Sequence, residues 1–232
     1  MTTRCSTTTT PAPRFLLLGD SHAGCVGRAA RDAALPFVGG PVGSGRDFLG
    51  PFFDVDDRAL TFRDAHAQRL FREFLDTLEV TGLGGLEVPL VCTFGLSAHT
   101  LATRQNWDIH RDRRGTVPGA FLRSALFTDL VRANVRGALA FYEHTAAHGL
   151  RVLAPLPPQR VPGMSDPDVF FAVQDVVGTE LARRGVEIVD LRDRVTDARG
   201  HQRDVFCQQD DTIHGNDAFG RLVVAELLDH GL

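Results

Sequence analysis

Five short apolar runs, separated by segments of helical periodicity, constrain the fold of this chain more than any other feature. The runs cover residues 14–18, 35–38, 88–94, 151–155 and 186–190. Because their apolar residues are consecutive, they are typical of parallel strands that are covered on both faces. Helices are predicted at residues 23–32, 65–79 and 118–148, from Pro167 to a stop at Gly185, and after Asn216. This alternation predicts an α/β fold, a three-layer sandwich around a five-stranded parallel sheet.

The N-terminus differs in composition from the rest of the chain. Residues 1–13 are polar and rich in threonine and proline, so we expect a disordered tail there. Residues 14–232 are expected to form a single domain, because they contain no internal repeat and no sign of a second domain. Within them, the stretch FFDVDDRALTF predicts a small β-hairpin that turns at Asp56 and Asp57.

Composition and charge argue against several classes of function. The net charge of -4, with no block of lysine or arginine, argues against a nucleic-acid partner. No apolar run reaches about 18 residues, so no membrane span is expected. The four cysteines are scattered without a C-x-x-C pair, which favours reduced thiols in a cytoplasm over disulfides or a zinc site. The usual motifs for phosphate, dinucleotide and metal binding are missing, and we expect neither a cofactor nor a metal.

A serine follows the first apolar run. The stretch FLLLGDSH places Ser21 three residues past the predicted strand, where a helix should begin and backbone N–H groups are free. Ligands of parallel α/β sheets bind beyond the carboxyl ends of the strands, so this loop is a candidate site. By itself, Ser21 is more simply explained as the cap of that helix.

A possible base for this serine lies near the other end of the chain. The stretch DDTIHGN places Asp211 and His214 three residues apart, just before the last predicted helix. That spacing lets the carboxylate reach one imidazole nitrogen while the other nitrogen points outward, as in a Ser-His-Asp triad. Alternatively, the aspartates serve a loop turn and His214 is a solvated loop residue.

Together, GDS after the first strand and D-x-x-H before the last helix resemble the SGNH hydrolases, the GDSL esterase and lipase superfamily. The resemblance extends from the first strand to the last helix and implies a flavodoxin-like fold. It implies that Ser21 is the nucleophile, His214 the base and Asp211 the residue that orients the base. We expect Ser21 to cap the helix as well. His22 stands where the GDSL pattern has leucine, and we expect it to pack or hydrogen-bond near the site.

The resemblance also implies an oxyanion hole, with one clear departure. The N–H groups of Ser21 and Gly45 would donate to the oxyanion, and Gly43 is a rival for the second position. The family's G-x-N-D block is G-L-S-A here, so Ser97 replaces the expected asparagine. Either the Ser97 hydroxyl or His99 supplies the missing hydrogen bond, or the protein is a weak or specialised catalyst. His99 is equally well explained as a partly buried hydrogen-bonding residue.

A charged loop after Gly95 carries the only tryptophan and is a candidate substrate-binding segment. In this interpretation His99 contacts the substrate, Trp107 covers an acyl or sugar group, and Arg104 or Arg111 binds a carboxylate or phosphate. A solvated loop explains the same residues equally well. The proline-rich stretch APLPPQRVPG should border the site and shape it without supplying chemistry.

We therefore predict a cytoplasmic serine hydrolase that cleaves a carboxylic ester through an acyl-enzyme, and the resemblance to the family implies a small acyl group, such as an O-acetyl group. The first alternative is an acyltransferase that uses the same Ser-His-Asp site on a specialised metabolite. The second is a non-catalytic binding protein with the same fold, which the altered G-L-S-A block keeps open. The expected partner is a small-molecule ester or acyl compound, and the sequence makes no prediction of oligomeric state.

Overall fold

The computed structural model describes residues 11–56 and 59–232. Most of the tail that was predicted to be disordered, residues 1–10, lies outside the described residues. The helices and strands are, in chain order, β1 (Leu16–Gly19), α1 (Ala23–Asp32), β2 (Val38–Pro41), β3 (Phe53–Asp56), β4 (Ala59–Phe62), α2 (Ala65–Thr77), β5 (Leu90–Cys92), α3 (Ala98–Leu101), α4 (Gly119–Leu122), α5 (Ala125–Asn134), α6 (Arg136–Ala147), β6 (Val152–Pro155), α7 (Pro167–Ala182), β7 (Glu187–Val189), α8 (Arg192–Val195) and α9 (Asp217–Asp229).

Five strands form one parallel sheet in the order β2-β1-β5-β6-β7. The predicted α/β fold with a five-stranded parallel sheet is therefore confirmed. Strand β1 is hydrogen-bonded on both sides, and Leu16 pairs with Val38 in β2 and with Leu90 in β5. Because the strands are parallel, the turn after β1 lies between the loops that follow β2 and β5.

Helices cover both faces of this sheet. Successive side chains of a strand point to opposite faces. Accordingly, Leu16 and Leu18 of β1 join a buried cluster with residues of α2, α6 and α7, whereas Leu17 joins a second cluster with residues of α1 and α9. The first and last long helices of the fold thus pack on the same face, which brings the segments that precede them together.

The single helix predicted over residues 118–148 is wrong, because the segment forms α4, α5 and α6 instead. The Ser124 side chain caps the start of α5. At the start of α6, the Gly137 N–H donates to the Leu49 carbonyl at 2.9 Å. A Cβ on Gly137 would lie 1.8 Å from the Gly50 carbonyl oxygen. The break therefore depends on a close tertiary contact with a distant loop, which helical periodicity does not reveal.

The second strand begins three residues later than predicted, at Val38 rather than Leu35. Leu35 is buried, but it belongs to the connection that leads into the strand. Gly39 has a φ of 106°, and a Cβ there would lie 2.0 Å from the Leu17 carbonyl oxygen. The strand thus contains glycine where the backbone of β1 approaches closely. A search for consecutive apolar residues does not detect such a strand.

The predicted hairpin is present as an antiparallel pair outside the main sheet. Strands β3 and β4 place Phe53 opposite Phe62, and the connecting residues 57 and 58 lie outside the described residues. Each helix of the described chain is either too short or too polar to cross a lipid bilayer.

Candidate active site

The turn after β1 and the loop before α9 bring a serine, a histidine and an aspartate into one hydrogen-bonded chain. The Nε2 atom of His214 lies 2.8 Å from the Ser21 Oγ, although 193 residues separate the two in sequence. The Nδ1 atom of the same ring lies 2.6 Å from the Asp211 Oδ2. All three residues are half-buried, and each of them lines a cleft that opens to the surface.

The Asp211 carboxylate is held by its own loop. Its Oδ1 accepts the backbone N–H of Ile213 at 2.6 Å and of His214 at 2.8 Å, while its Oδ2 bonds the imidazole. Partial burial alone would raise the pKa of Asp211, but these hydrogen bonds outweigh it and hold the pKa well below the usual range. The carboxylate is therefore ionised at neutral pH and favours the proton on Nδ1, so that Nε2 can accept from the serine.

The prediction that Ser21 also caps a helix is wrong. The residue at the cap position of α1 is His22, whose side chain makes no capping hydrogen bond. The Ser21 carbonyl accepts the Gly24 N–H at 3.1 Å, which begins the first turn, while the Ser21 hydroxyl bonds His214. The backbone of Ser21 thus belongs to the helix start, and its side chain belongs to the site.

A buried aspartate next to the serine joins two of the loops. The Asp20 carboxylate is inaccessible to solvent. It accepts the Thr93 hydroxyl at 2.9 Å, the His22 N–H at 3.0 Å and the Ser97 hydroxyl at 2.7 Å. A serine hydroxyl has a single proton. Ser97 therefore cannot donate to an oxyanion while it holds Asp20, and its predicted side-chain role there disagrees with this geometry.

Gly45 packs directly against this aspartate and serine. A Cβ on Gly45 would lie 2.1 Å from the Ser97 Oγ and 3.1 Å from the Asp20 Oδ2, so only glycine fits. A Cβ on Gly43 would instead meet Phe48, away from these two residues. Within the described part of the chain, no acceptor is bound to the N–H of Gly45 or of Ser21. Two free backbone donors thus belong to the loops that meet at the serine.

Two further histidines, His22 and His99, lie in a row beside the His214 ring. The His22 ring lies 5.0 Å from the His214 ring and 6.1 Å from the His99 ring, measured between centroids. Burial lowers the pKa of His22, and its Nδ1 has no hydrogen-bond partner among the described residues. Burial and the neighbouring His22 lower the pKa of His99 to about 4. Both rings are thus neutral at pH 7, and His22 packs beside the site as predicted.

Trp107 lies in the core, which disagrees with its predicted role as a cover for a bound group. It is 5% exposed, its Nε1 donates to the Leu101 carbonyl at 2.7 Å, and its ring packs on Phe127. The two predicted anion-binding arginines have other contacts. Arg104 is exposed and donates to the Ser165 carbonyl at 3.2 Å.

Arg111 forms ion pairs with Asp108 at 3.1 Å and Asp166 at 3.0 Å. Its charge is therefore already compensated by two carboxylates of the chain itself.

A cleft of about 390 Å³ opens beside the serine and histidine. Among the residues that line it are Cys25, Arg28, Gln208 and Asp217. Arg28 and Asp217 form an exposed ion pair at 2.9 Å. Burial raises the pKa of Cys25 to about 11, so its thiol stays protonated at neutral pH and is a poor nucleophile. Ser21 is thus the one residue with a side-chain hydroxyl in the described lining of this cleft, and charged and polar side chains surround it.

Sequence reasoning missed Arg160, which lies in the proline-rich loop after β6. Its guanidinium donates to the backbone carbonyls of Gln208 at 2.9 Å and His214 at 2.8 Å, and also to that of Asp211. The signal in the sequence is an arginine within a stiff loop that leaves a parallel strand at its carboxyl end. No group of three or more histidine, cysteine or acidic side chains in residues 11–56 and 59–232 is placed to hold a metal.

No protein-family model matches this chain, and no curated protein matches it in sequence. Several solved structures align with nearly its whole length. A GDSL-like lipase from Bacteroides thetaiotaomicron is 13% identical with a TM-score of 0.49, and the alignment covers 97% of this chain and 93% of that one. The acetyl xylan esterase AlAXEase is 11% identical with a TM-score of 0.45, covering 94% and 100%.

A variant of Axe2, an acetyl-xylooligosaccharide esterase from Geobacillus, is 13% identical with a TM-score of 0.47, covering 97% and 96%. Identities this low do not transfer an activity, so any functional conclusion depends on the residues of this chain.

Proposed function

We propose that this protein is a serine hydrolase of the SGNH type. Within that class, we propose that it is an esterase that cleaves a carboxylic ester through an acyl-enzyme. The observation that carries the proposal is the continuous chain of hydrogen bonds from Asp211 through His214 to Ser21, at 2.6 and 2.8 Å. Because a serine hydroxyl is a weak nucleophile at neutral pH, an oriented base at hydrogen-bond distance is the feature that activates it.

In the proposed reaction, the Ser21 Oγ attacks the ester carbonyl while the His214 Nε2 takes the hydroxyl proton. The ionised Asp211 stabilises the imidazolium that forms. When the tetrahedral intermediate collapses, the bond between the carbonyl carbon and the alkoxy oxygen breaks, and the imidazolium gives its proton to the departing alcohol. A water molecule, deprotonated by the same imidazole, then attacks the acyl-enzyme. Its products are the carboxylic acid and the regenerated serine.

For the oxyanion we propose two backbone donors, the N–H groups of Ser21 and Gly45. Both are free of other acceptors among the described residues, and Gly45 packs against the residue that precedes the nucleophile. Such donors are effective because they are fixed before the reaction begins. Since the Ser97 hydroxyl is occupied by Asp20, we assign the contact with the substrate on that side to His99, whose neutral imidazole keeps one N–H to donate.

For the substrate we propose a small acyl ester, such as an O-acetyl group on a larger polar alcohol. The size of the cleft and its polar lining by Arg28, Gln208 and Asp217 support this preference over a long lipid chain. A cytoplasmic location remains a prediction from the scattered cysteines, and a single domain over residues 14–232 remains a prediction from the absence of repeats.

Labelling with a fluorophosphonate probe tests the proposal. We expect the wild type and a Ser124→Ala control to label, and a Ser21→Ala variant not to label. Because removing the nucleophile from such a triad costs about 10⁶-fold in kcat, Ser21→Ala should also abolish the release of acid from p-nitrophenyl acetate. A comparison with longer p-nitrophenyl acyl esters would measure the preference for small acyl groups.

Other outcomes of this experiment would favour the alternatives. A protein that labels at Ser21 but turns over an acyl donor only after an alcohol or amine acceptor is added would be an acyltransferase. A folded wild type that fails to label under conditions that label ordinary serine esterases would contradict covalent catalysis and favour a binding protein.

A further inference from the structure

Arg160 lies in the loop that follows β6, and its side chain contacts the backbone of the loop that precedes α9. It follows β6 in a loop with Pro157 and Pro158 on one side and Pro162 on the other, so its backbone has restricted freedom. Its side chain is 16% exposed, and the Asp211 side chain that faces it is 28% exposed. The guanidinium lies within this partly buried environment and not at the open surface.

The guanidinium hydrogen-bonds to backbone carbonyls before and within the segment that carries Asp211 and His214. One nitrogen donates to the carbonyls of Gln208 and His214, at 2.9 and 2.8 Å. A second nitrogen donates to the carbonyl of Asp211. The first nitrogen also lies 3.8 Å from the Asp211 Oδ1, so the positive charge faces the carboxylate directly. A single side chain thus fixes the backbone on both sides of the Asp211–His214 pair.

We infer that Arg160 is a positioning residue for the proposed esterase: it holds the loop that carries Asp211 and His214 at the distance that Ser21 requires. This inference depends on the proposed function. The loop has no regular secondary structure between Cys207 and Asn216, so side-chain contacts such as those of Arg160 contribute to its conformation. Lysine cannot replace the arginine fully, because its ammonium is a point donor and cannot bind three carbonyls in a planar arrangement.

Arg160→Gln and Arg160→Lys test the inference, with Arg151→Gln as the matched control. Arg151 also binds backbone carbonyls, those of His230 and Gly231, but precedes β6 and lies at the opposite end of that strand. Because a displacement of about 1 Å can cost roughly 10²-fold in rate, we expect Arg160→Gln to lower kcat for p-nitrophenyl acetate about 10²-fold, with KM changed less than about 3-fold. Arg160→Lys should recover part of the loss, and Arg151→Gln should retain wild-type kcat.

Two readouts separate positioning from folding and from the proposed function itself. We expect Arg160→Gln to retain a cooperative thermal unfolding transition, to lose the downfield proton signal of the His214–Asp211 hydrogen bond in NMR spectra, and to regain part of its kcat when guanidinium ion is added. An Arg160→Gln variant with wild-type kcat and an intact downfield signal would overturn the inference, as would a loss matched by Arg151→Gln. A wild type that fails to label with fluorophosphonate contradicts the proposed function, and the NMR signal then still decides whether Arg160 positions the pair.

Discussion

Gly45→Ala is the substitution that most directly tests how the loops around Ser21 fit together. The added Cβ would lie 2.1 Å from the Ser97 Oγ, 2.5 Å from the Ser97 Cβ and 3.1 Å from the Asp20 Oδ2. Real contacts of a Cβ atom are essentially never shorter than 3.0 Å, so one of the two loops must move by roughly 1 Å. The Ser97 side chain cannot rotate away freely, because it is buried and hydrogen-bonded to Asp20.

The size of the expected loss in stability and activity for Gly45→Ala follows from two effects. Overpacking of a well-packed site costs about 1–3 kcal/mol of unfolding free energy. On the proposed function, displacing the Gly45 N–H removes an oxyanion donor, which costs about 2.7–4 kcal/mol of transition-state stabilisation, or roughly 10²–10³-fold in kcat. We therefore expect Gly45→Ala to remain folded, with a lower melting temperature, and to lose about 10²-fold or more of kcat/KM for p-nitrophenyl acetate.

A double variant isolates the steric clash between Gly45→Ala and Ser97. Ser97→Gly removes both atoms that the new Cβ would meet first, so Gly45→Ala should be less harmful in a Ser97→Gly background than in the wild type. Gly24→Ala is the control, because a Cβ there meets only an Arg28 nitrogen at 3.6 Å. A Gly45→Ala variant with wild-type kcat/KM, or one equally impaired in both backgrounds, would show that this clash does not control the geometry of the site.

Two further predictions concern the residues beside Gly45. Ser97→Ala leaves the buried Asp20 carboxylate without one hydrogen bond, so we expect thermal and urea unfolding to report a loss of about 1–3 kcal/mol. The same variant should keep kcat within about 10-fold of the wild type, since Ser97 does not donate to the oxyanion; a loss near 10³-fold would contradict that assignment. The lowered pKa of His99 means that the unfolded chain binds this proton more readily than the folded one, so the contribution of His99 to stability is full above about pH 6.5 and is lost as the pH falls toward 4. An NMR titration in which the His99 ring protons shift with a midpoint near 6.5 would disprove this burial effect.

The three central strands β1, β5 and β6 were predictable because every residue in them is buried, and apolar residues therefore follow one another in their sequences. The errors fall where a distant contact decides the local structure. The start of α6 is set by the approach of Gly137 to the backbone of Gly50, and β2 contains Gly39, which a hydrophobic pattern does not select. Neither contact has a signature within its own segment, so the sequence predicted one long helix and a displaced strand.

For the candidate site, short motifs at a strand end and before a helix start singled out Ser21, Asp211 and His214, and the structure joins these three side chains by hydrogen bonds. Two other features depend on side chains that meet only after folding. Trp107, the single tryptophan of the chain, lies in a charged segment of the sequence. Its indole is nevertheless buried in the core, because it is a large apolar group. Arg160 binds backbone carbonyls, and carbonyls exist at every residue, so no sequence pattern could identify its partners.

The separation of 193 residues between the serine and its base also has a consequence in time. At ribosomal rates of about 5–20 residues per second, the serine is synthesised roughly 10–40 s before the histidine. If His214 is the base, as proposed, the hydroxyl has no base until α9 packs against α1, and a nascent chain cannot cleave the esters around it. On the proposed function, hydrolysis therefore first appears during synthesis when α9 packs against α1. The onset of activity then reports that the fold is complete.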